Sequence, residues 1–567
     1  MADAPDIMVR RLAAALVFWA RHSLVAGAQV MMHPFRLLFA SAVLFLALVL
    51  PNHPGTMNLS ALNRFPLELP VLILGMIAIG QRRWIVGAVA AFLVAATFLK
   101  LADFGMFAAF NRTFNPVLDA FLIEAGLNLL SDSIGRPLAY LAIAGFAIGM
   151  LGIFYALLRS LYAWASLQVP LYARGVALVG VMVFGVWAVA DAGHHLGYWK
   201  FDRSPPGTAW TSRLSFKRIV EVRATAADLV QFSNEAELDA FAGVTGVLDQ
   251  LDGKDVILIY VESYGRASFD NDLYAPVHLA TLAQGQDALR DAGFAMKSGW
   301  LTSPTAGGQS WLAHGTLASG LWTSDNGRYN AMLASGHKWL FHFAQEAGYR
   351  TAAIMPAITL NWPESSKMGF ELIFPAADIP YKGDPFNWVT MPDQFTLAAY
   401  SSLLPADPRP DFIQIALISS HAPWVPIPQM VPWDDIGDGT IFNEMAKKGP
   451  TPRDLWKNRD DVRIAYRDAV DYALQATLSH VARLGNEAPL VLVIGDHQAA
   501  GFVAGSDNHD VPIHMIGPPH LVQRIGAWGW TDGLIPSPDG PVRRMDMFRN
   551  DFISAFSENA KLVGVIQ

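Results

Sequence analysis

The sequence predicts a helical transmembrane domain of about five spans followed by an α/β domain, on three observations. First, 52% of the 567 residues are hydrophobic and only 16% are charged, and the mean hydropathy is +0.28, values too apolar for an ordinary soluble protein. Second, charge divides along the chain: residues 1–200 hold 13 Lys/Arg against 8 Asp/Glu, and residues 201–567 hold 28 against 41. Third, the pattern changes at Asp255 from long apolar runs to short buried-strand runs alternating with helical stretches. An acidic larger half excludes a basic nucleic-acid binder, because it repels phosphate backbones. The apolar content excludes disorder. With no cysteine, disulfides, thiolate metal sites and cysteine nucleophiles are excluded, and any metal is left to carboxylate, hydroxyl and imidazole groups.

Five apolar runs approach the length needed to cross about 30 Å of hydrocarbon: Leu37–Leu50, Phe65–Ile79, Trp84–Met106, Pro137–Trp164 and Val169–Ala192. Arg10–Val30, interrupted by Arg21 and His22, reads as an interfacial helix or a lead into the first span. The Lys/Arg bias sets orientation. Arg10, Arg11, Arg21 and Arg36 precede the first span, Arg82 and Arg83 separate the second and third, and Arg159 and Arg174 flank the fourth connection. With five crossings these share the cytoplasmic side, and the chain after about residue 195 lies outside. Asp103 is expected at the interface beside Lys100.

Residues 196–250 read as a juxtamembrane linker broken at Ser204-Pro205-Pro206-Gly207, with a charged helix over Ser212–Phe241. From there, Asp255–Val261, Phe412–Ile418 and Leu490–Ile494 are near-continuous apolar runs, as expected of central parallel strands. Gly348–Ile354 and Val511–Ile516 are weaker strands. His337–Ala347, Arg463–Leu484 and Met545–Phe556 have helical spacing. The domains are thus expected at 1–195, 196–250 and 251–567.

In open α/β sheets chemistry gathers at the carboxyl ends of strands. The three strong strands end in Val261-Glu262-Ser263, in Ser419-Ser420-His421 and in Gly495-Asp496-His497. Convergence of three such ends is a stronger signal than any one. The glycine-rich stretch Thr302–Ser310 then opens a helix, where free backbone N–H groups and the positive dipole end suit a hydroxyl attacking phosphorus or sulfur. Ser310 is the candidate nucleophile, with Thr305 as its rival. Glu262, Ser310, Asp496 and His497 make a four-ligand oxygen and nitrogen set for Mn²⁺ or Zn²⁺, with Mg²⁺ also open.

These residues resemble the membrane-anchored branch of the alkaline phosphatase/sulfatase superfamily: lipoteichoic acid synthases, phosphoglycerol transferases and lipid A phosphoethanolamine transferases. VESYG is similar to the family segment with the metal-binding glutamate, here Glu262. GGQSWLAHGTLASGL resembles the nucleophile helix, with Ser310 in place of threonine. SSHAPW resembles the substrate-site motif and points to His421, and VIGDHQ carries the metal pair Asp496 and His497. NHDVPIHMIGP places His509 where relatives hold a second metal or a substrate oxygen, and the segment Ala353–Pro363 keeps Trp362 as a substrate-site neighbour. Two departures favour the transferase branch over true sulfatases: Glu262 has no adjacent aspartate, and there is no C/S-x-P-S-R loop. A third, Glu364 in place of an arginine that would grip glycerol phosphate, leaves the headgroup open.

The resemblance implies an α/β sulfatase-like domain, a divalent metal, and transfer of a phospholipid headgroup phosphate through a seryl intermediate to a glycan or lipid hydroxyl. The setting it implies is outside a bacterial inner membrane. Ser310, His421 and His509 are the expected catalytic residues, with Trp362, His421 and His509 contacting substrate. Hydrolysis by the same first step, as a sulfatase or phosphodiesterase, and a catalytically silent lipid sensor are the alternatives.

Overall fold

A computed structural model describes residues 34–57, 64–110, 112–119, 122, 126–127, 130–131, 135–201, 206–360, 362–485 and 488–558. The expected interfacial helix Arg10–Val30 and the breaker residues Ser204 and Pro205 lie outside them. The chain forms two compact units, Met1–Ala227 and Asp228–Gln567.

In the first unit the apolar runs become helices α1 (Pro34–Val49), α2 (Glu68–Ile79), α3 (Arg83–Phe110), α4 (Arg136–Ala165) and α5 (Leu171–His195). Among the described residues three of them, α3, α4 and α5, are long and apolar enough to cross a membrane. At 1.5 Å per residue, α1 and α2 reach only about 24 and 18 Å. Leu44, Leu48, Met76, Val86, Leu93, Leu157 and Leu161 pack together as this unit's core.

A sixth helix, α6 (Trp210–Ala236), begins in the first unit, where buried polar side chains tie it to the apolar helices. Lys100 Nζ donates to the carbonyls of Ala47 (3.0 Å) and Leu48 (2.8 Å) and to Thr211 Oγ1 (2.8 Å). Asp103 is fully buried within the first unit. It accepts from Asn52 Nδ2 at 2.9 Å, from the Phe114 amide at 2.9 Å, and from Arg218 Nη2, which donates to Oδ1 at 2.8 Å and Oδ2 at 3.1 Å. The reason is Arg218, 115 residues away in sequence, since a buried carboxylate is tolerated only with a partner of this kind.

The second unit is built on a nine-stranded sheet in the order β4-β3-β5-β1-β6-β7-β2-β8, with β9 also on β2. Its strands are β1 (Val256–Val261), β2 (Ala295–Thr302), β3 (Arg350–Met355), β4 (Leu372–Pro375), β5 (Asp411–Ala416), β6 (Leu490–Gly495), β7 (Asp510–Gly517), β8 (Thr531–Asp532) and β9 (Val542–Arg544). β1 runs parallel to β5 and β6, whereas β7 is antiparallel to both β6 and β2.

The central strands are buried on both faces, which is why they read as continuous apolar runs. Ile257, Ile259, Val261, Val491 and Val493 join one core with Leu282 and Leu289 of α7 (Ala275–Asp291). Val256, Leu258, Tyr260, Leu492 and Ile494 join the other with Leu312 and Leu317 of α8 (Ser310–Ser319). Among the further helices of these layers are α9 (Asp393–Leu403), α10 (Arg459–Arg483) and α11 (Phe548–Ala555).

Candidate active site

Strand register delivers the first two acidic groups. Val261 of β1 pairs with Gly495 of β6, so Glu262 and Asp496 leave the sheet side by side. The two chains come very close here. A Cβ on Gly495 would sit 1.8 Å from the Tyr264 carbonyl oxygen, so no side chain fits. Ser263 turns the chain away in the left-handed region, at φ 58°. Its amide donates to Asp496 Oδ1 at 2.8 Å, as does the His497 amide at 2.6 Å.

The helix bearing Ser310 is brought in by a separate loop. Ala306 bridges to Gln498, and the Gly307 amide donates to the Gln498 carbonyl at 2.7 Å. Gly307 has φ 73° and Gln309 φ 67°, left-handed conformations that kink the chain into α8. Ser310 therefore occupies the first turn, where backbone N–H groups have no helical partner.

Its hydroxyl donates to Glu262 Oε2 at 2.9 Å and lies 3.3 Å from His497 Nε2. His497 Nε2 is also 3.1 Å from Glu262 Oε1 and 3.9 Å from Asp496 Oδ2. Glu262, Asp496 and His497 are all buried, and each offers a ligand atom within 4.8 Å of the others.

Electrostatics make this an unusual place for three ionisable groups. Burial raises the Asp496 carboxyl well above the carboxylate range, and the neighbouring Glu262 charge pushes the same way. Burial opposes ionisation of Glu262 too, but the His497 imidazolium beside it overrides that and holds it low. His497 is lowered by burial and raised, on balance, by the two carboxyl groups. Together the cluster binds protons that a dication would replace.

The donor set fits such an ion. His497 Nδ1 donates to the Gln498 carbonyl at 2.9 Å, which leaves Nε2 as the ligand atom. The two amides on Asp496 Oδ1 leave Oδ2, 3.9 Å from His497 Nε2, as its ligand atom. The glutamate, aspartate and imidazole, with the Ser310 hydroxyl, are oxygen and nitrogen donors of the kind Mn²⁺, Zn²⁺ and Mg²⁺ accept.

The structure thus brings Glu262, Ser310, Asp496 and His497 together. Thr305 is elsewhere engaged: its hydroxyl donates to the Gly308 carbonyl at 2.7 Å within the turn. His421 follows β5, with Nδ1 at 2.5 Å from the Ala422 carbonyl and its ring stacked on Trp388 at 4.0 Å. It is close enough for its charge to act on Glu262. His509 is exposed and outside the three-ligand cluster. Its Nδ1 lies 3.3 Å from the Ser303 carbonyl, while the Ser303 hydroxyl donates to the Asp496 carbonyl at 2.7 Å. Trp362 packs with Ile358 and Phe370 against the ends of β3 and β5.

Four further residues support the site through contacts that the sequence does not show. Ser420 donates to the Glu262 carbonyl at 2.6 Å. Asp393, fully buried at the start of α9, accepts from the Ile418 and Ser419 amides at 2.8 and 2.9 Å. Trp388, half exposed and one of the tryptophans whose aromatic ring could wall a pocket, backs His421 after a left-handed turn at Asn387, φ 61°. His314, one turn beyond Ser310, lies against Tyr260 at 3.9 Å and is kept neutral by burial, its pKa falling to about 4.

Comparisons with known proteins bear on this arrangement. The lipoteichoic acid synthase LtaP from Listeria monocytogenes is 13% identical, with 55% of this chain and 74% of that one covered at a TM-score of 0.35. The Streptococcus pyogenes phosphoglycerol transferase GacH, solved with sn-glycerol-1-phosphate, is 14% identical, covering 59% and 82% at 0.35. The C-terminal periplasmic domain of the phosphoethanolamine transferase EptC from Campylobacter jejuni is 11% identical, covering 54% and 92% at 0.35. No curated protein matches the chain in sequence. The sulfatase family model matches residues 254–514, a stretch that contains Glu262, Ser310, His421, Asp496, His497 and His509. Over residues 254–514 the chain is therefore similar to the sulfatase family, the likeness that its four motifs carry.

Proposed function

We propose that this protein is a metal-dependent phosphotransferase that moves a phospholipid headgroup phosphate, of the phosphoglycerol or phosphoethanolamine type, to a glycan or lipid hydroxyl. The observation that carries the reading is the Ser310 hydroxyl at the start of α8, 2.9 Å from Glu262 and 3.3 Å from His497. A divalent ion held by Glu262, Asp496 and His497, when bound, lowers the pKa of that hydroxyl and offsets phosphate charge.

Ser310 Oγ, its proton lost to solvent, attacks the headgroup phosphorus, and the bond from phosphorus to the diacylglycerol oxygen breaks. Diacylglycerol leaves with a proton, for which His421, steadied by Trp388, is the donor. The headgroup phosphate stays esterified to Ser310. The acceptor hydroxyl, its proton taken by the now neutral His421, then attacks the same phosphorus, and Ser310 Oγ leaves and takes up a proton from solvent, which completes the exchange. Backbone N–H groups of the first turn of α8 hold the phosphate oxygens. His509 and Trp362 contact substrate at the rim.

The setting we infer is a bacterial inner membrane crossed five times, with the catalytic domain on the outer side. The apolar length of α3, α4 and α5 and the Lys/Arg bias support it. The test incubates the purified chain with phosphatidylglycerol or phosphatidylethanolamine, with and without a glycan acceptor, and follows products and the Ser310 peptide by mass spectrometry. Headgroup phosphate on Ser310 and then on the acceptor is the expected result. Release to water alone, acceptor present, would make the protein a hydrolase, and absence of any Ser310 adduct would refute the mechanism.

A further inference from the structure

The chain leaves α5 at His195 and enters α6 at Trp210, and around this corner apolar side chains face outward. Along α5, Met182, Val183, Val186 and Val189 are each more than half exposed, on a helix long and apolar enough to cross a membrane. The strip does not end with that helix. Tyr198, Trp199 and Phe201 follow it, and Phe216, Ile219 and Val220 carry it onto α6, each between 41% and 65% exposed.

Contacts fix the level at which these side chains sit. The Tyr198 amide donates to the Gly193 carbonyl at 2.9 Å and Trp199 Nε1 to the Ala190 carbonyl at 3.1 Å, so both residues fold back over the end of α5. Gly193 makes the room: a Cβ there would lie 2.0 Å from the Trp199 ring. The Tyr198 and Phe216 rings meet at 6.3 Å. The start of α6 is held to the same level by the Ala209 amide on Asp191 Oδ2 and the Ser212 amide on Glu68 Oε1, both at 2.8 Å.

Phe216, Ile219 and Val220, three and four residues apart, share one side of α6, turned away from the buried Thr211 and Arg218. Between Trp210 and Ala227 the sequence has four basic residues and one acidic one. The acid, Glu221, pairs with Arg218 at 2.7 Å, and Lys217 and Arg223 stand exposed beside the apolar stripe. Apolar side chains flanked by free cations and preceded by Tyr and Trp suit the boundary between headgroups and acyl chains. Continuity with the exposed side of α5 favours a bilayer as the covering, since one lipid surface meets both helices at once.

We propose that the first turns of α6 are an interfacial anchor: Phe216, Ile219 and Val220 sit in the surface of the bilayer that surrounds α5, with Lys217 and Arg223 against lipid phosphates. The inference rests on the membrane setting proposed above, and it gives α6 no part in substrate binding or catalysis.

The chain has no cysteine, so single-cysteine variants of the full chain each take one spin label. Labels on Phe216→Cys, Ile219→Cys and Val220→Cys are compared in nanodiscs of phosphatidylglycerol and phosphatidylcholine. The measurement is collision with oxygen, which concentrates in lipid, against collision with a water-soluble nickel chelate. Val186→Cys reports on α5, and Asp287→Cys, on the exposed side of α7, reports on water. The expected oxygen-to-nickel ratio at each α6 position exceeds that at Asp287 by about ten-fold. A high ratio at Val186 with an Asp287-like ratio at all three α6 positions would overturn the anchor and leave the membrane setting standing. An Asp287-like ratio at Val186 as well would overturn both. Low collision with both reagents at the α6 positions would mean that protein covers the stripe, and would also overturn the proposal. Each label removes one side chain and leaves the other two, so failure of one variant to fold leaves two positions to decide.

Discussion

Asp393 offers a clean test of how burial near the site couples to pH. Burial drives its carboxyl up from 3.8 to about 6, against the two amides of Ile418 and Ser419 that favour the charged form. A folded-state pKa above the unfolded value means the proton-bound form is favoured by folding. The stability from this group is therefore fully present below about pH 4 and is lost as pH rises through about 6. Two pKa units correspond to about 3 kcal/mol.

Asp393→Asn removes the titration and keeps an oxygen to accept both amides. Its amide nitrogen takes the place of Oδ2, which has no partner among the described residues, so the exchange adds no new unsatisfied atom. The variant should match the parent within about 1 kcal/mol at pH 5 and exceed it by about 2–3 kcal/mol at pH 8. Denaturant titration of the full chain in detergent, followed by tryptophan fluorescence at pH 5, 6.5 and 8, measures the difference, in which contributions common to both proteins cancel. A gap that stays constant across that range, or grows as pH falls, would show that Asp393 is not held protonated by burial and that the reasoning fails.

Three further outcomes are expected. Ser310→Ala should lower turnover by about 10⁴–10⁶-fold while thermal midpoint and metal content change little; undiminished activity in a turnover assay would move the nucleophile elsewhere. Removing metal with a chelator should abolish activity, Mn²⁺ or Zn²⁺ should restore it, and a Glu262→Gln/Asp496→Asn double variant should show no bound metal by elemental analysis. Gly495→Ala should destabilise the second unit by more than about 3 kcal/mol, because its methyl group would overlap the Tyr264 carbonyl at 1.8 Å and backbone must move; a denaturation midpoint equal to the parent's would mean the β1–β6 ends can separate freely.

The parts of the fold legible in the sequence are those where one physical constraint acts alone. β1, β5 and β6 are buried on both faces, so their residues had to be apolar throughout. β2, Ala295–Thr302, escaped because Lys297, Ser298 and Gly299 interrupt its apolar pattern: Lys297 reaches Asp532 at 2.5 Å and Ser298 bonds to His514 at 2.7 Å, partners invisible along the chain. β4 is four residues long and carries no periodicity. Glu262, Asp496 and His497 stood out because each follows a readable strand, and Ser310 because glycines precede it. The sequence already prefers Ser310 to Thr305; what it does not show is the turn in which Thr305 bonds to Gly308. The supports of the site, Asp393, Ser420 and Trp388, were illegible for the same reason as Arg218 on Asp103: each acts on a residue distant in sequence.

The two routes by which the site is assembled have a consequence for its history. The acidic and imidazole groups arrive with the pairing of two neighbouring strands, so the sheet register alone sets those positions side by side. Ser310 travels on a separate glycine hinge clipped to Gln498. Under the proposed function, changes in that hinge would retune what is attacked without disturbing the electrostatic platform beneath. Such a division of labour would let one scaffold exchange one esterified cargo for another through a few loop residues.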